Sequence, residues 1–214
     1  MTARDRILAR IGGQDTERPD GRELEAAFAR LKDTAGEPVQ PPAPGDNALD
    51  WFTRNAEKSA ARVHQLENAS SLPAWLADRR RDLAETGPVC LCRTFADSPL
   101  NWSPLPLAEA AGPSGHWGLA KAGAAIAETG TVAVSSITCS ARLLFLVEHL
   151  VLVVERKDLL WYLEDLPHHW PAMADTPRAI HLITGPSRTA DVEQTIQLGA
   201  HGPRQVDCVI LDHQ

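Results

Sequence analysis

The sequence has no excess of basic residues. Its 214 residues include 21 Lys and Arg against 28 Asp and Glu, which gives a formal net charge of −7. Proteins that bind nucleic acids usually present a basic surface that displaces counterions from the phosphates. We therefore expect no nucleic-acid partner, although this charge balance is compatible with a local cationic pocket for a small anion.

The sequence also lacks a long hydrophobic run. The longest apolar stretch, Leu143–Val154, is interrupted by Glu148 and His149, and a membrane-spanning helix needs about 20 apolar residues. The segment Met1–Arg10 mixes charged and apolar side chains and has no apolar core of the kind found in signal peptides. We therefore expect no membrane partner and a cytoplasmic location.

Cysteine is scarce, and its spacing does not fit a metal centre. The four cysteines form no CxxC pair, and the spacing of an iron–sulfur cluster is absent. The adjacent pair His168-His169 lacks zinc-site spacing, and no GxGxxG fingerprint of dinucleotide binding occurs. We expect structural thiols, no metal and no cofactor; a metal or redox role for the first two thiols is the alternative. The cysteines are Cys90, Cys92, Cys139 and Cys208.

Residues 1–33 carry amphipathic helical patterns, and residues 34–47 are rich in proline and cannot be helical. We therefore expect an N-terminal helical segment with its linker over residues 1–47 and an α/β domain over residues 48–214. In that domain one apolar stripe predicts a helix over Phe52–Leu66, and Pro73 indicates the start of another. Further helices are predicted over Leu159–Leu166 and Asp191–Leu198.

Short apolar runs predict the strands. Val151–Val154 is apolar at every position, which is typical of a parallel strand covered on both faces. Strands that alternate with helices imply right-handed βαβ crossovers, so we predict an α/β fold with a mostly parallel sheet and helices on both faces. The predicted strands of that sheet are Val89–Cys92, Val151–Val154, Ile180–Ile183 and Val206–Leu211; two other β-like runs are Ala124–Ala127 and Thr131–Ser135.

The clearest candidate ligand site is the segment Gly185–Asp191. It is predicted to leave a strand and open a helix at the carboxyl end of the sheet, where α/β folds bind ligands. Backbone N–H groups at a helix start attract anions, and hydroxyl groups and an arginine add to that attraction. The alternative is that the hydroxyl groups only cap the helix, and two acidic residues disfavour a bare phosphate there. The predicted ligand-binding residues of this segment and of the helix predicted after it are Gly185, Ser187, Arg188, Thr189, Asp191 and Glu193.

Further polar groups stand at the ends of other apolar runs. Glu128 is a candidate nucleophile or general base; the alternative is an ordinary turn residue. Thr129 and Gly130, which follow it, are candidate ligand-binding residues. His149 is a second candidate acid or base, or else a core histidine, and His201 is an equally ambiguous candidate ligand group. We predict that these groups converge with Gly185–Asp191 in one cleft at the carboxyl edge of the sheet.

Three segments resemble a known family. The run Ile183–Pro203 resembles the signature of the LUD-domain proteins, and more narrowly that of their lactate utilization protein C branch (LutC/YkgG). Ala125–Val132 resembles a second signature of the family, and Leu146–Val154, with its histidine, a third. The resemblance covers about residues 48–214 in order. It departs from the family at Val147-Glu148, where the family pattern has prolines before the histidine.

The resemblance implies a fold of the NagB/RpiA/CoA-transferase-like class and a part in bacterial oxidation of L-lactate. The implied partners are iron–sulfur proteins of the LutA/LutB type. One hypothesis is a non-redox component that binds a small anion, such as a carboxylate or a nucleotide, or docks those partners. The other is a stand-alone enzyme of the CoA-transferase or sugar-phosphate-isomerase type, with Glu128 as catalytic carboxylate. Whether the chain is an enzyme stays open at this point.

Overall fold

The computed structural model describes the greater part of residues 47–212. The described residues are 47–109, 111, 116–169, 177–190, 196–198 and 202–212, together with Arg22, Glu25, Ala26, Arg30, Ala43 and Gly45. The chain divides into two compact units, Met1–Pro41 and Pro42–Gln214. In the first unit the described residues are helical and exposed. The second unit contains every strand of the described chain.

The elements of the second unit are short and alternate irregularly. The strands are β1 (Arg62–Leu66), β2 (Val89–Leu91), β3 (Trp117–Lys121), β4 (Ala124–Ile126), β5 (Thr131–Ser135), β6 (His149–Glu155), β7 (Leu159–Leu160), β8 (Ile180–Ile183), β9 (Arg188–Ala190), β10 (Ile196–Leu198) and β11 (Gln205–Leu211). The α-helices are α1 (Ala48–Lys58), α2 (Leu72–Asp82), α3 (Arg93–Ala96), α4 (Ala141–Leu146) and α5 (Leu166–His169).

The central sheet has five strands, all parallel, in the order β1-β11-β6-β3-β2. Strand β6 is buried at its first six positions, as expected of a parallel strand covered on both faces. The predicted strands Val89–Cys92, Val151–Val154 and Val206–Leu211 all contribute to this sheet. The predicted fold class, a mostly parallel sheet flanked by helices, is confirmed.

Helices cover both faces of this sheet. Asp207 is in register with Val151, and on that face it contacts Arg79 of α2. Gly118 lies on the opposite face because side chains alternate along a strand, and there the space above it is filled by Leu143 of α4. No helix in the described part of the chain is long and apolar enough to cross a membrane.

A second sheet of four strands, in the order β7-β4-β5-β8, lies beyond the end of β3. Only two residues separate β4 from the end of β3, and β4 forms an antiparallel hairpin with β5. Helix α1 contacts this hairpin, since the Asn55 side chain donates to the carbonyl of Ala127 at 2.8 Å. Apolar residues of β4 and β5 share one hydrophobic core with Phe52 and Ala56 of α1.

The placement of Ile180–Ile183 in the parallel sheet was wrong. This segment is β8, which pairs antiparallel with β5 at the edge of the second sheet. Ile180 and Leu182 are exposed and Ile183 is buried. A strand with one face open to solvent is typical of an antiparallel sheet and not of a parallel one.

The predicted helix over Asp191–Leu198 is also wrong at its described end. Residues 196–198 are β10, which pairs antiparallel with β9. The segment after β8 therefore leads into a strand, and the chain does not present a helix start at Arg188. Asp191 and Glu193 lie outside the described residues.

Two further helix boundaries differ from prediction. The helix expected over Phe52–Leu66 ends at Lys58, because Ala60 adopts a left-handed conformation with φ of 66°. Val63 and Leu66 then belong to β1; a stripe of apolar positions fits a helix followed by a strand as well as one long helix. In the segment Leu159–Leu166, strand β7 and a 3-10 turn replace the expected helix.

Candidate functional site

The Glu128 turn, which joins β4 to β5, is fixed against the last turns of α1. Asn55 of α1 donates its side-chain amide to the carbonyls of Ala127 and Glu128, at 2.8 and 2.9 Å. Gly130 has a φ of 66°, and a Cβ built on it would lie 2.2 Å from the backbone nitrogen of Ala56. Only glycine fits such a close approach in a left-handed conformation.

The turn after β8 reaches the same place. Gly185 has a φ of 72°, and an added Cβ would lie 2.0 Å from the carbonyl oxygen of Ser59, at the end of α1. A chain of hydroxyl groups joins the two turns: Thr129 Oγ1 donates to Thr131 Oγ1 at 2.7 Å, which lies 2.7 Å from Thr184 Oγ1. The structure thus brings two of the predicted motifs together, although they are far apart in sequence.

This junction lies at the amino edge of the parallel sheet, so its predicted position at the carboxyl edge is wrong. The backbone N–H of Ser187 donates to the carbonyl of Pro203, just before β11. The next residue, Arg204, donates to the carbonyl of Glu148, just before β6. The reason is that β8 belongs to the second sheet. The end of that sheet that carries the two turns packs against α1, near the start of the parallel strands.

The carboxyl edge is partly closed by the second sheet. Ala122, which follows β3, donates its N–H to the carbonyl of Val153 in β6, so the pairing of β3 with β6 continues into the pairing of β4 with β7. At this bend Lys121 pairs with Glu155. The open crevice that parallel sheets often present at this edge is therefore reduced here.

A surface cavity of about 220 Å³ adjoins the turn after β8. Its walls combine apolar side chains of α4 and β8 with polar groups of the turn. The lining residues used below are Leu144, Phe145, Ile183, Thr184, Ser187 and Gly202.

The predicted site residues differ in their exposure and in their place in the fold. Glu128, Thr129 and Arg188 are exposed, and Ser187 is partly buried. Thr189 lies on β9, and His201, like the two acidic residues of the same segment, lies outside the described residues. His149 belongs to a different cluster inside the parallel sheet.

That cluster is centred on Asp207, which has no solvent exposure. Its carboxylate lies 2.6 Å from His149 Nε2 and 3.0 Å from His64 Nε2, and Arg79 Nε donates to it at 3.2 Å. An ionised carboxylate only accepts hydrogen bonds, so both Nε2 atoms carry hydrogen. The ring of His149 stacks on Trp117 with centroids 3.6 Å apart.

The charge of Asp207 is maintained by its partners. Burial alone would raise the pKa of this carboxyl, but hydrogen bonds from His149 and His64, with Arg79 beside them, hold the pKa well below its usual range. His149 is 1% exposed, and among the described residues its Nδ1 has no hydrogen-bond partner; the carboxylate of Glu85 lies 3.8 Å from this atom. His149 is therefore a buried member of a charged network and does not line the cavity.

Sequence reasoning missed the partners in both clusters. Asp207 interrupts an apolar strand, which is a recognisable signal for a paired buried charge. His64 was hidden because its strand was predicted as helix. Asn55, Thr131 and Thr184 carry no local signal of their own, since their partners are distant in sequence.

The four cysteines are buried and free. Burial raises the pKa of Cys139 and of Cys208 to about 12, and it raises the pKa of Cys90 as well. Metal ligation needs the thiolate, which this environment disfavours. Among the described residues no group of three or more His, Cys, Asp or Glu side chains is arranged to hold a metal ion.

Together these observations define an α/β protein with a parallel central sheet and a junction of two turns at its amino edge. Residues 114–211 match the LUD domain family, in agreement with the resemblance of the three segments. This family is linked to lactate utilization.

A solved structure supports the fold. The crystal structure of a DUF162 family protein from Deinococcus radiodurans is similar to this chain, with a TM-score of 0.54 and 18% sequence identity. The match covers 77% of this chain and 96% of that one. At this identity the likeness establishes the fold alone. No curated protein matches the chain.

Proposed function

We propose that this protein is a LutC-type, non-redox component of a bacterial, iron–sulfur-dependent system that oxidises L-lactate. In this role it binds a small anion at the junction of the two turns, or docks iron–sulfur partners of the LutA/LutB type. The observation that carries the proposal is the LUD-domain match over residues 114–211, which includes all three signature segments. The raised pKa values of Cys90, Cys139 and Cys208 support a role in which this chain's thiols do not carry electrons.

The geometry of the junction supports a binding role. Two turns that are distant in sequence are held in contact by Asn55 and by the hydroxyl chain through Thr131. Both turns contain a glycine in a left-handed conformation. Polar groups held in a fixed geometry beside a cavity are typical of ligand sites.

One observation favours the alternative of a stand-alone enzyme. Glu128 is exposed on the turn that carries the hydroxyl chain, so its carboxylate is accessible to a substrate. In that case Glu128 is the nucleophile or general base, as in enzymes of the CoA-transferase type.

Complementation tests the proposal. A bacterial strain that has the iron–sulfur genes but lacks this gene is grown with L-lactate as sole carbon source. We expect the parent gene to restore growth and the tagged protein to copurify with the iron–sulfur proteins. Full growth of the strain without this gene would overturn the proposal.

A pair of variants separates the two functions. If Glu128 is catalytic, E128Q abolishes complementation, because an amide neither attacks nor accepts a proton efficiently. If the protein acts by binding or docking elsewhere in the site, E128Q complements as well as the parent does. The matched control is E67Q, at an exposed glutamate beyond the end of β1.

A further inference from the structure

The cavity beside the turn after β8 has an apolar wall and a polar rim. Leu144, Phe145 and Ile183 supply the wall, and Thr184 and Ser187 supply hydroxyl groups. Leu144 is fully buried, whereas Phe145 is 42% exposed and forms the outer side. A ligand that fits must therefore have a short apolar part and a polar end.

The size of the cavity restricts the ligand further. Its volume of about 220 Å³ lies below the roughly 300–1,000 Å³ of clefts that hold drug-sized ligands. An apolar cavity of about 150 Å³ accommodates benzene. The space thus suits a molecule of a few carbon atoms and is too small to enclose a nucleotide or coenzyme A.

The rim presents hydrogen-bond donors. Thr131 Oγ1 accepts from Thr129, so its own hydrogen is available for Thr184 Oγ1. Either oxygen of the Thr131–Thr184 pair can be the donor; when Thr131 donates, the hydroxyl hydrogen of Thr184 is available to a ligand in the cavity. Thr184 is exposed, which makes this donor accessible.

A cation stands next to these donors in the chain. Arg188 follows Ser187 directly, is exposed, and has no ion pair with any described residue. Hydroxyl donors next to an exposed guanidinium favour an anionic end group, and a guanidinium matches a carboxylate in geometry.

We infer that this cavity binds a short-chain monocarboxylate, with its alkyl part against Leu144 and Phe145 and its carboxylate at Thr184, Ser187 and Arg188. The inference rests on the proposed function and deepens it, because it selects a small carboxylate over a nucleotide. The absence of a side chain at Gly202 is part of the site: an added Cβ would lie 2.9 Å from Ser187 Cβ and 3.2 Å from its Oγ.

Calorimetric titration of the full chain with acetate, propionate, butyrate and L-lactate tests the inference. Each added methylene is expected to raise the affinity about fourfold, the effect of burying one CH₂ group. AMP and coenzyme A are expected to show no binding that butyrate displaces. Equal affinity for all chain lengths, or AMP that competes with butyrate, would overturn the inference.

Variants locate the two ends of the ligand. S187A and T184V should each weaken every carboxylate about tenfold, the usual effect of losing a hydrogen bond to a charged group. F145A should reduce the gain from acetate to butyrate, because it opens the apolar wall. L146A is the matched control: Leu146 lies next in the same helix, is 43% exposed and does not line the cavity, so binding should not change. R188A should weaken binding at low salt and less so at high salt, because an exposed charge is screened.

Melting temperatures of all variants accompany the titrations, so that a binding loss in a folded protein is distinguished from unfolding. If F145A and L146A behave alike in a folded protein, the apolar end is not in this cavity and the inference fails. Growth on L-lactate separates this failure from that of the proposed function. If the protein complements but binds no carboxylate, the proposed function stands and the inference is overturned. If the protein binds carboxylates but does not complement, the inference stands and the proposed function is overturned.

Discussion

Asp207 carries a negative charge at a position with no solvent exposure, and the fold maintains that charge with three donors from three elements. His64 comes from β1, His149 from β6 and Arg79 from α2. The carboxylate therefore ties neighbouring strands of the parallel sheet to the helix that covers them. Removing one partner from a buried charged network leaves the others uncompensated.

We predict that D207N destabilises the protein by about 3–5 kcal/mol, the usual cost of breaking a buried ion pair. The parent should also lose stability on acidification. Because the folded pKa of Asp207 lies below its unfolded value of about 3.9, its contribution is complete above that pH and is lost as the pH falls towards the folded pKa. Urea unfolding of parent and variant between neutral pH and pH 3 measures both effects.

The control is D78N, since Asp78 pairs with Arg81 on the surface and both side chains are more than half exposed. Its effect should stay below about 1 kcal/mol. The difference between parent and D207N should shrink as the pH falls below 4. A constant difference over the whole range would contradict the assignment of an ionised Asp207.

At the scale of elements, the end of α1 is the support on which both turns of the candidate site rest. Gly130 approaches Ala56 and Gly185 approaches Ser59, each in a left-handed conformation. The approach is backbone to backbone, so no side-chain rotation relieves an added methyl group. The two glycines therefore set the distance between the turns and the helix.

We predict that G130A and G185A each destabilise the protein by more than about 2 kcal/mol, since the left-handed conformation alone costs a non-glycine residue about 1–2 kcal/mol and the clash adds to it. The control is A60G, at an exposed alanine that already has a φ of 66°. Relief of its strain offsets the added entropy of the unfolded chain, about 0.4–1 kcal/mol. Stability should thus be unchanged or slightly raised. Denaturant unfolding compares the three variants, and a harmless G185A would disprove the close packing on α1.

The elements also show what sequence patterns can predict. Val151–Val154 was assigned correctly because a strand buried on both faces is apolar throughout. Ile180–Ile183 has a similar composition but two exposed positions, and only its antiparallel pairing with β5 separates the two cases. The sequence could indicate that the Glu128 turn and the turn after β8 lie close together, because this does not depend on the exact order of the strands. The edge of the sheet at which the two turns lie depends on the direction of β8, which the sequence pattern does not give.

At the scale of the whole molecule, the hydrophobic core belongs to the second unit. The main cluster of buried residues in the described chain extends from Leu49 to Leu211. Helix α1 is essential to it, because Phe52 and Ala56 have no solvent exposure. The division of the chain into two units falls between Pro41 and Pro42.

We predict that a chain beginning at Pro42 folds cooperatively, with a free energy of unfolding within about 1 kcal/mol of the full chain, a small part of the 5–15 kcal/mol typical of a domain. A chain beginning at Ala61 should not fold. It lacks Phe52, whose truncation to alanine alone would cost about 3–5 kcal/mol, and it loses the support of both turns. Circular dichroism and urea unfolding of the two fragments and the full chain make the comparison. A fragment from Pro42 that fails to unfold cooperatively would show that residues 1–41 are needed for the stability of the α/β unit.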